Sequence, residues 1–408
     1  MTGSSRLHAH ESFDVVVVGG GPAGATAAED LARQGHSVML LDKPGRIKPC
    51  GGAIPPRAIR DFNIPESQIV ARAQTARMVS PSRRVVDMPI EGGSVGMVDR
   101  AHFDEWLRER AAGAGAVRRS GAFSHISRDE AGVAHIHYRQ AAGRGTKQLM
   151  TAKARFVIGA DGAKSKVADQ EIAGADQKKI VFAYHEIIDS PRGGDPERYH
   201  GARAEIYYDG SLSPDFYAWV FPHGDQTSVG VGSAHKGFSL RGAVAELRNR
   251  TGLNAQNTVR TEGAPIPLKP LKRWDNGRDI ILAGDAAGCV APSSGEGIYY
   301  AMLGGRVAAD AVHEALETGR VKALATARKR YMKEHGKVFM ILGVMQHFWY
   351  RNDKRRERFV NMCDDADVQR LTWQAYMEKK LVRANPAAHL RIMWKDTAHL
   401  LGLTPIQR

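Results

Sequence analysis

The clearest element signal in the chain is a continuous apolar run near its start. Val15–Val18 are all β-branched, as expected for a strand that is buried on both faces. A segment of helical composition, from Pro22 to Gln34, follows and ends at Gly35. The next apolar run, "SVMLLD" at residues 37–42, supplies a second strand. This order of strand, helix and strand predicts a βαβ unit.

Two later apolar runs each end in an aspartate and a glycine. "ARFVIGADGAKSKV", residues 154–167, runs into Asp161-Gly162, and "RDIILAGDAAGCVAPSSGEGI", residues 278–298, runs into Gly284-Asp285. Each pattern predicts a strand whose carboxyl end carries these residues, which is where open α/β sheets bind ligands. After the second run, Gly295-Glu296-Gly297-Ile298 opens a predicted helix.

A helix is also predicted for "VDRAHFDEWLRERA", residues 98–111. Asp99 is placed to cap it, and Phe103, Trp106 and Leu107 recur at helical spacing. Arg100 lies in the first turn, where the helix dipole disfavours a cation. An exposed surface charge is therefore a weaker explanation of Arg100 than a functional contact.

Alternation of aromatic residues marks a strand in "FYAWVFPHGDQTSVGVG", residues 216–232. Tyr217, Trp219 and Phe221 are two positions apart, so a strand places all three on one face. Such a face suits the wall of an apolar ligand site. An ordinary half-buried strand shows the same alternation, so the pattern alone leaves both interpretations open.

A last apolar pattern lies in the C-terminal third. "VFMILGVMQHFWY", residues 338–350, is apolar at most positions but too short to span a bilayer. A helix that is apolar on most faces is usually buried, which favours a core helix. The alternative is a helix resting on anionic lipid headgroups, because four cations follow it closely: Lys354, Arg355, Arg356 and Arg358.

Composition and charge narrow the class of protein. The chain of 408 residues is 43% apolar and 25% charged, which predicts a globular protein with a large core and two or three structural units. Its net charge of +14 favours anionic partners: nucleic acid, an acidic membrane surface or phosphorylated small molecules. Nucleic acid is disfavoured, because the basic residues are spread along the chain without a recognised binding motif.

Cysteine usage and the start of the chain bear on the compartment. Cys50, Cys289 and Cys363 are too few and too far apart for a disulfide or metal framework, which indicates a reducing cytoplasm. The sixteen histidines show no ligand spacing, so no metal site is expected. Residues 1–12, "MTGSSRLHAHES", lack the apolar run of a signal peptide and are expected to be a disordered leader.

The turn between the first strand and its helix carries candidate chemistry. It reads Gly19-x-Gly21-x-x-Gly24, and Asp42 ends the second strand eighteen positions later. The glycines permit a tight turn and close approach of a pyrophosphate, whose charge the helix N-terminus favours. Asp42 is placed to accept hydrogen bonds from a ribose. Because strand, helix and acid all fall where the mechanism needs them, we predict a dinucleotide site rather than an ordinary turn.

With these glycine-containing segments in this order, the chain resembles the flavoprotein group that includes the aromatic hydroxylases and the geranylgeranyl reductases. The resemblance implies an α/β fold: a Rossmann-like FAD-binding domain of the aromatic-hydroxylase type, an antiparallel-sheet substrate domain and a helical C-terminal region. It implies bound FAD, touched by Arg100, with the N-terminus of the helix at Ile298 favouring the reduced ring. The FAD-binding residues that it implies are Gly19, Gly21, Ala23, Gly24, Asp42, Lys43, Cys50, Gly51, Ala53, Arg100, Ala122, Asp161, Gly162, Gly284, Asp285, Pro292, Gly295, Gly297 and Ile298.

Domain boundaries follow from this interpretation. Residues 13–175 together with 260–320 are assigned to the FAD-binding domain, 176–259 to the β-sheet substrate domain and 321–408 to the helical C-terminal region. No second G-x-G-x-x-G lies in another strand–helix unit, so a separate nicotinamide domain is not expected. NADPH is expected to dock transiently over the flavin.

Within this group, three segments resemble the geranylgeranyl reductases: "CGGAIP" at residues 50–55, the aromatic-x-W-x-F-P strand at 217–222 and "WKDTAHLLGLTP" at 394–405. The last resembles the enzymes that saturate the chlorophyll or bacteriochlorophyll side chain. The resemblance implies an NADPH-dependent enzyme that saturates three double bonds of a geranylgeranyl chain, borne by bacteriochlorophyll or as the diphosphate, to give the phytyl form. Tyr217, Trp219 and Phe221 are then the candidate substrate contacts.

Cys50 is the candidate catalytic residue. Cys50-Gly51-Gly52 follows the second strand closely enough for its backbone to approach the flavin ring, an approach that glycine permits. Two roles are open for the thiol: it donates the proton that completes alkene reduction, or it shapes the pocket beside the ring. A small buried residue without a chemical role is the third interpretation.

Two other functions fit parts of the pattern. A flavin monooxygenase shares the three FAD segments and consumes oxygen to hydroxylate its substrate. A prenyl-binding escort protein shares the dinucleotide fold, but intact Gly21, Asp161 and Asp285 count against a protein that carries no flavin. For the reductase, the predicted location is the cytoplasm, with peripheral attachment to an anionic photosynthetic membrane.

Overall fold

Strands of the protein form two large sheets and one small sheet in the computed structural model, which describes residues 11–45, 47–48, 50–142, 145–193 and 195–379. Most of the expected leader 1–12, and all of "WKDTAHLLGLTP", lie outside the described residues. The strands are β1 (Glu11–Val18), β2 (Val38–Asp42), β3 (Ala53–Ile54), β4 (Ala71–Ala73), β5 (Thr75–Val79), β6 (Val85–Pro89), β7 (Val95–Met97), β8 (Val117–Ser120), β9 (Ala122–Arg128), β10 (Ala134–Ala141), β11 (Lys147–Gly159), β12 (Ile180–Asp189), β13 (Arg203–Tyr207), β14 (Ala218–His223), β15 (Gln226–Ser233), β16 (Thr258–Pro267) and β17 (Ile280–Leu282). The helices are α1 (Pro22–Arg33), α2 (Pro56–Asp61), α3 (Arg100–Gly113), α4 (Lys166–Glu171), α5 (Leu240–Thr251), α6 (Ile298–Thr318), α7 (Leu324–Trp349), α8 (Asp353–Met362) and α9 (Ala366–Glu378).

The first large sheet contains the predicted βαβ unit. Its order is β8-β2-β1-β11-β10-β9, with β17 paired to β11, and the pairs that β1 makes with β2 and β11 are parallel. Val15–Val18 are almost fully buried, as a central strand covered on both faces requires. Helices α1 and α6 pack together beside this sheet. The carboxyl ends of β1, β11 and β17 therefore lie side by side, which brings the three glycine-containing turns together.

The second large sheet has the order β16-β12-β15-β14-β13-β5-β6 and is antiparallel except where β13 pairs with β5. The α/β architecture expected from the sequence is confirmed. The expected domain boundaries differ from the structure, because β5, β6 and β16 lie in this sheet rather than in the FAD-binding part. Residue 75 pairs with residue 203, and residue 267 pairs with residue 180. Because these partners are distant in the chain, the local sequence does not show to which sheet each strand belongs.

The third sheet and the C-terminal helices complete the described structure. Strands β3, β7 and β4 form a small sheet, and α9 packs against α2. The apolar stretch at 338–350 is the end of the long helix α7 rather than a fully buried helix. Phe339 and Trp349 are buried, whereas Met340 and Val344 are each 64% exposed. Among the described helices, none has the length and apolarity needed to cross a bilayer.

Candidate active site

The turn that joins β1 to α1 has the geometry of an anion site. A Cβ atom on Gly24 would lie 1.8 Å from the carbonyl oxygen of Gly19, and Gly19 itself has a φ of +108°. These two glycines hold the helix tightly against the strand. At Gly21 the surroundings are open, with no atom within 4 Å of a Cβ placed there, and Gly21 offers no side chain to cap α1. Helix α1 therefore begins beside open space and without a side-chain acceptor for the amides of its first turn.

The third glycine-containing turn packs directly onto the first. Gly284 has a φ of +59°, and a Cβ there would lie 2.6 Å from the Cβ of Ala23. A Cβ on Gly305 of α6 would lie 2.1 Å from the Ala23 carbonyl oxygen. This contact carries Asp285 to the N-terminus of α1. The buried Asp285 carboxylate is paired with Lys48, a residue that the sequence patterns did not single out.

An apolar cavity of about 270 Å³ lies where the two large sheets meet. Tyr217, Trp219 and Phe221 line one side. The ring centroids of Tyr217 and Trp219 are 5.9 Å apart, and those of Trp219 and Phe221 are 6.1 Å apart. The structure thus brings these aromatic residues into the same space as many of the predicted FAD contacts. The predicted contacts that line the cavity are Cys50, Gly51, Ala53, Arg100, Asp285, Gly295, Gly297 and Ile298.

Arg100 is a buried cation at the edge of this cavity. Its Nε and Nη2 atoms each donate a hydrogen bond to the Asp104 carboxylate, at 2.7 Å. Burial opposes the charge, but Asp104 and the neighbouring Cys50 hold the pKa of Arg100 above its ordinary value. An exposed helix charge is excluded by this burial. Arg100 therefore places a positive charge beside Cys50 at the edge of the cavity.

The glycines beside Cys50 are required by protein packing. A Cβ on Gly51 would lie 2.9 Å from the Phe221 ring, and one on Gly52 would lie 2.5 Å from His223 Nε2. Gly52 also has a φ of +71°. The sequence interpretation attributed these glycines to approach of the flavin ring; the structure gives them a reason within the protein itself. Cys50 is half-buried, and its Sγ accepts a hydrogen bond from the Gly52 amide at 3.4 Å.

A second cavity, of about 640 Å³, lies at the end of β2 and contains Asp42 and Lys43. Arg108 of α3 also lines it and donates to Asp42 Oδ2 at 3.1 Å and to the Gly20 carbonyl oxygen at 3.2 Å. Two more arginines, Arg118 and Arg119, complete a basic wall. A carboxylate among cations suits the ribose and the charged end of an adenine nucleotide.

Several predicted contacts line neither of the two cavities. The Asp161 carboxylate accepts hydrogen bonds from the Ser165 hydroxyl and from the Lys166 amide at 2.8 Å, so it caps the turn that enters α4. Burial raises the pKa of Asp161, and these hydrogen bonds offset only part of that cost. The side chain is therefore used within the turn. The other predicted contacts that line neither cavity are Ala122, Gly162, Pro292, and Gly19, Gly21, Ala23, Gly24 and Gly284 of the turns described above.

Helix N-termini separate into two kinds. Asp99, Ser239, Asn352 and Asp365 each accept a backbone hydrogen bond at the start of α3, α5, α8 and α9 respectively. The N-caps of α1 and α6, in contrast, are glycines without a side-chain acceptor. The starts of α2 and α7, after Pro55 and Ala323, also lack a side-chain cap. Both of the glycine ends belong to the predicted FAD site. With the open space at Gly21 and the Asp42 carboxylate, they fit the phosphates, ring and ribose of FAD.

A chain of hydrogen bonds fixes the Trp219 ring at the wall of the apolar cavity. Trp219 Nε1 donates to Ser228 Oγ at 3.1 Å, and Ser228 Oγ lies 2.9 Å from His185 Nδ1. The other ring nitrogen of His185 lies 2.9 Å from Glu262 Oε2, and Glu262 is paired with Arg260. The indole orientation is therefore set through His185 of β12 by the Glu262–Arg260 pair of β16.

The sequence patterns missed several residues of this region. Trp373 and Tyr376 of α9 line the apolar cavity, and Lys379 at the end of α9 pairs with Glu296. Glu296 had a signal, since an acid between two glycines at a helix start is unusual in an apolar stretch. Lys48, Arg108 and Lys379 had none, because their partners are distant in the chain.

One cluster of possible metal ligands occurs among the described residues, although none was expected. His36, His313 and Glu317 place ligand atoms within 4.8 Å of one another. His36 Nε2 and His313 Nδ1 lie 2.8 Å apart and share a hydrogen bond, which accounts for their proximity without an ion. The two histidines are 277 positions apart, so sequence spacing does not reveal them.

Comparison with known proteins agrees with this geometry. Residues 12–187 match the FAD binding domain family. A geranylgeranyl diphosphate reductase of Rhodobacter capsulatus is 53% identical over 97% of this chain and 99% of its own length. A chloroplastic geranylgeranyl diphosphate reductase of Oryza sativa is 35% identical over 99% of this chain and 90% of its own.

A solved structure shares the fold across nearly the whole chain. It is a geranylgeranyl bacteriochlorophyll reductase-like protein of Thermoplasma acidophilum, with a TM-score of 0.76 and 23% identity over 96% of this chain and 99% of the other. At 23% identity the structural likeness shows a shared fold alone. The 53% identity to the Rhodobacter capsulatus protein shows the family. The chain belongs to the geranylgeranyl reductase family of FAD-dependent oxidoreductases.

Proposed function

We propose that the protein uses NADPH to saturate three double bonds of a geranylgeranyl chain, carried by bacteriochlorophyll or by diphosphate, to give the phytyl form. The proposal rests on one observation above all. The aromatic residues of β14 and the predicted flavin contacts line the same apolar cavity, so a prenyl chain lying against Trp219 also lies beside the flavin position. The names of the two sequence relatives support a geranylgeranyl substrate.

The residues of the chain bind, orient and keep water out. FAD, when bound, supplies the hydride for alkene reduction after NADPH has reduced it. The amides of α1 would hold its phosphates, Asp42 its ribose, and the start of α6 its ring. The apolar walls hold the prenyl chain and exclude water from the reacting carbons.

An anaerobic experiment tests this function. The FAD-loaded protein is reduced with NADPH and then mixed with geranylgeranyl diphosphate or geranylgeranylated bacteriochlorophyll, while flavin absorbance and product mass are followed. Flavin that bleaches and then reoxidises as the product gains two, four and six hydrogens is the expected result. The substrate that reoxidises it faster identifies the chain's carrier.

The same experiment distinguishes the two rival functions. A flavin that stays reduced until oxygen is admitted, followed by a hydroxylated product, would establish a monooxygenase. A protein that purifies without flavin and does not take it up would establish the escort function, and would contradict the fit of the α1 turn to a phosphate.

We further propose that Cys50 shapes the pocket beside the flavin. Its thiol faces the cavity between Arg100 and the Phe221 side of the wall. For Cys50→Ser we expect less than a tenfold slowing of flavin reoxidation by the prenyl substrate, because the change is small in volume. Stopped-flow measurement checks this. Slowing of about 100-fold or more would instead assign the proton to the thiol.

Peripheral membrane attachment is the last part of the proposal. Met340 and Val344 are one turn apart on the exposed face of α7, and Lys333, Lys337 and Arg351 are exposed near them. An apolar strip with flanking cations suits a surface of anionic lipids. Apolar prenyl substrates partition into the same lipid surface. Helix α7 packs close to Pro292, beside the cavity.

Replacement of both exposed apolar residues tests the membrane surface. Met340→Glu with Val344→Glu is expected to move most of the protein out of the floating fraction in flotation with phosphatidylcholine–phosphatidylglycerol vesicles. Leu149→Glu is the matched control, since Leu149 is 58% exposed on β11, away from α7. Equal flotation of wild type and the double variant would contradict this attachment surface.

A further inference from the structure

A buried acid lines the apolar cavity at the start of α6. Glu296 lies between Gly295 and Gly297, and its side chain is 6% exposed. One carboxylate oxygen, Oε2, is paired with Lys379. The other, Oε1, has no hydrogen-bond partner among the described residues. A buried polar atom without a partner is costly, so its retention calls for a reason.

Lys379 is as buried as Glu296. It ends α9 in a left-handed conformation, with a φ of +51°, and its ammonium lies 3.5 Å from the centre of the Tyr376 ring. The Tyr300 ring centre is 6.0 Å from it on the other side. Fully buried ion pairs contribute little net stability, because desolvation offsets their attraction. Stability is therefore a poor explanation of the Glu296–Lys379 pair.

The surroundings favour the uncharged form of both groups. Burial raises the pKa of Glu296, and the attraction of Lys379 offsets this only in part. Burial likewise lowers the pKa of Lys379, with Arg57 acting in the same direction. The other titratable groups that interact with the pair are four phenols and an imidazole: Tyr217, Tyr299, Tyr300, Tyr376 and His335. Both pKa shifts lie in the direction that a catalytic acid at Glu296 requires.

We infer that Glu296 is the catalytic acid that delivers the proton to the alkene in each reduction, with Lys379 holding the carboxylate that remains; this rests on the proposed function. One alkene carbon receives the hydride from the reduced flavin, and the other forms a C–H bond with the Glu296 proton as the π bond breaks. The hydride that bound FAD would supply brings both electrons of its new C–H bond, and the negative charge ends on Glu296. Water restores the proton when product leaves.

The chemistry of the alkene favours a carboxyl over the thiol of Cys50. An isolated alkene has no carbonyl to take up charge, so it needs a strong acid close to the carbon. A carboxylic acid is stronger than a thiol by roughly four units of ordinary pKa. Among the described residues, Oε1 has no hydrogen-bond partner at the wall of the cavity that Glu296 lines, whereas Lys379 holds Oε2 in place.

Glu296→Gln keeps the shape of the side chain and removes the acid. Reduction of the bound flavin by NADPH is expected to be unchanged, whereas reoxidation by geranylgeranyl diphosphate is expected to slow by about 10²–10⁴-fold. Glu314→Gln on the outer face of α6 removes only an exposed pair with Arg330 and is the matched control. Reoxidation of Glu296→Gln at the wild-type rate would overturn the inference.

Two further measurements keep the test decisive. Glu296→Gln with Lys379→Met removes both charges, so it replaces the single variant if an unpaired Lys379 prevents folding or flavin uptake. In the protein without flavin, infrared spectroscopy is expected to show the band of a protonated buried carboxyl, absent from these variants. No difference in this band would overturn the inference. A wild-type flavin that the prenyl substrate fails to reoxidise would instead reject the proposed function.

Discussion

Gly24→Ala is expected to yield a protein without bound FAD. The added methyl would lie 1.8 Å from the Gly19 carbonyl oxygen and 3.1 Å from the Ala160 side chain. Neither the turn nor the helix can absorb more than 1 Å of overlap locally, because Gly305 presses α6 against the other side of α1 through Ala23. Helix α1 must then move away from β1, and its amides leave the phosphate position. The visible flavin spectrum of the purified variant measures this.

Loss of stability accompanies the loss of flavin in this variant. Overpacking of this kind costs on the order of 3 kcal/mol, so thermal unfolding should also begin earlier. Gly113→Ala is the control, because Gly113 ends α3 with no neighbour within 4 Å of an added Cβ. That change is expected to leave the flavin bound. A Gly24→Ala protein with a full complement of FAD would show that the β1–α1 contact does not position the phosphates.

Gly230→Ala is expected to block the prenyl site while leaving the flavin site intact. Gly230 pairs with both Trp219 and His185 in the second sheet, and the indole lies flat over it. An added Cβ would lie 2.1 Å from the Trp219 ring and 2.7 Å from the His185 Cβ. The ring must swing into the cavity, which also breaks its hydrogen bond to Ser228.

Separate measurement of the two half-reactions checks this second prediction. Flavin reduction by NADPH should be unaffected, and reoxidation by geranylgeranyl diphosphate should slow at least about 100-fold, as misplacement by an ångström does in other enzymes. Gly263→Ala on β16 is the matched control, since its Cβ would meet only ordinary contacts at 3.4 Å. A Gly230→Ala protein that reoxidises normally would contradict a prenyl chain lying against Trp219.

Local sequence signals predicted the parts of the fold that depend on neighbours in the chain. Val15–Val18, the turn from Gly19 to Gly24 and the Asp99 cap of α3 are each determined within a few residues. The alternation at 217–221 also placed its three side chains on one face, as the cavity lining shows. Such features follow from backbone geometry and periodicity alone.

Partners that are distant in the chain could not be predicted in this way. Lys48 with Asp285 is separated by 237 positions, and Lys379 with Glu296 by 83. The parallel pairing of β5 with β13, which defeated the expected boundaries, is of the same kind. The packing reason for the glycines at 51 and 52 could not be predicted either, because Phe221 and His223 reach them only through the tertiary fold.

The chain passes between the two large sheets several times: β1 and β2 in the first, β5 and β6 in the second, β8–β11 in the first, β12–β16 in the second and β17 back in the first. No single cut therefore separates a nucleotide-binding half from a substrate half, and exchange of one lobe with a related enzyme needs several crossovers. During synthesis on the ribosome, neither sheet is complete until most of the chain has emerged. Helix α9, which carries Trp373 and Tyr376, is the last of the described helices. The cavity wall can therefore be completed only after the three glycine-containing turns of the flavin site have emerged.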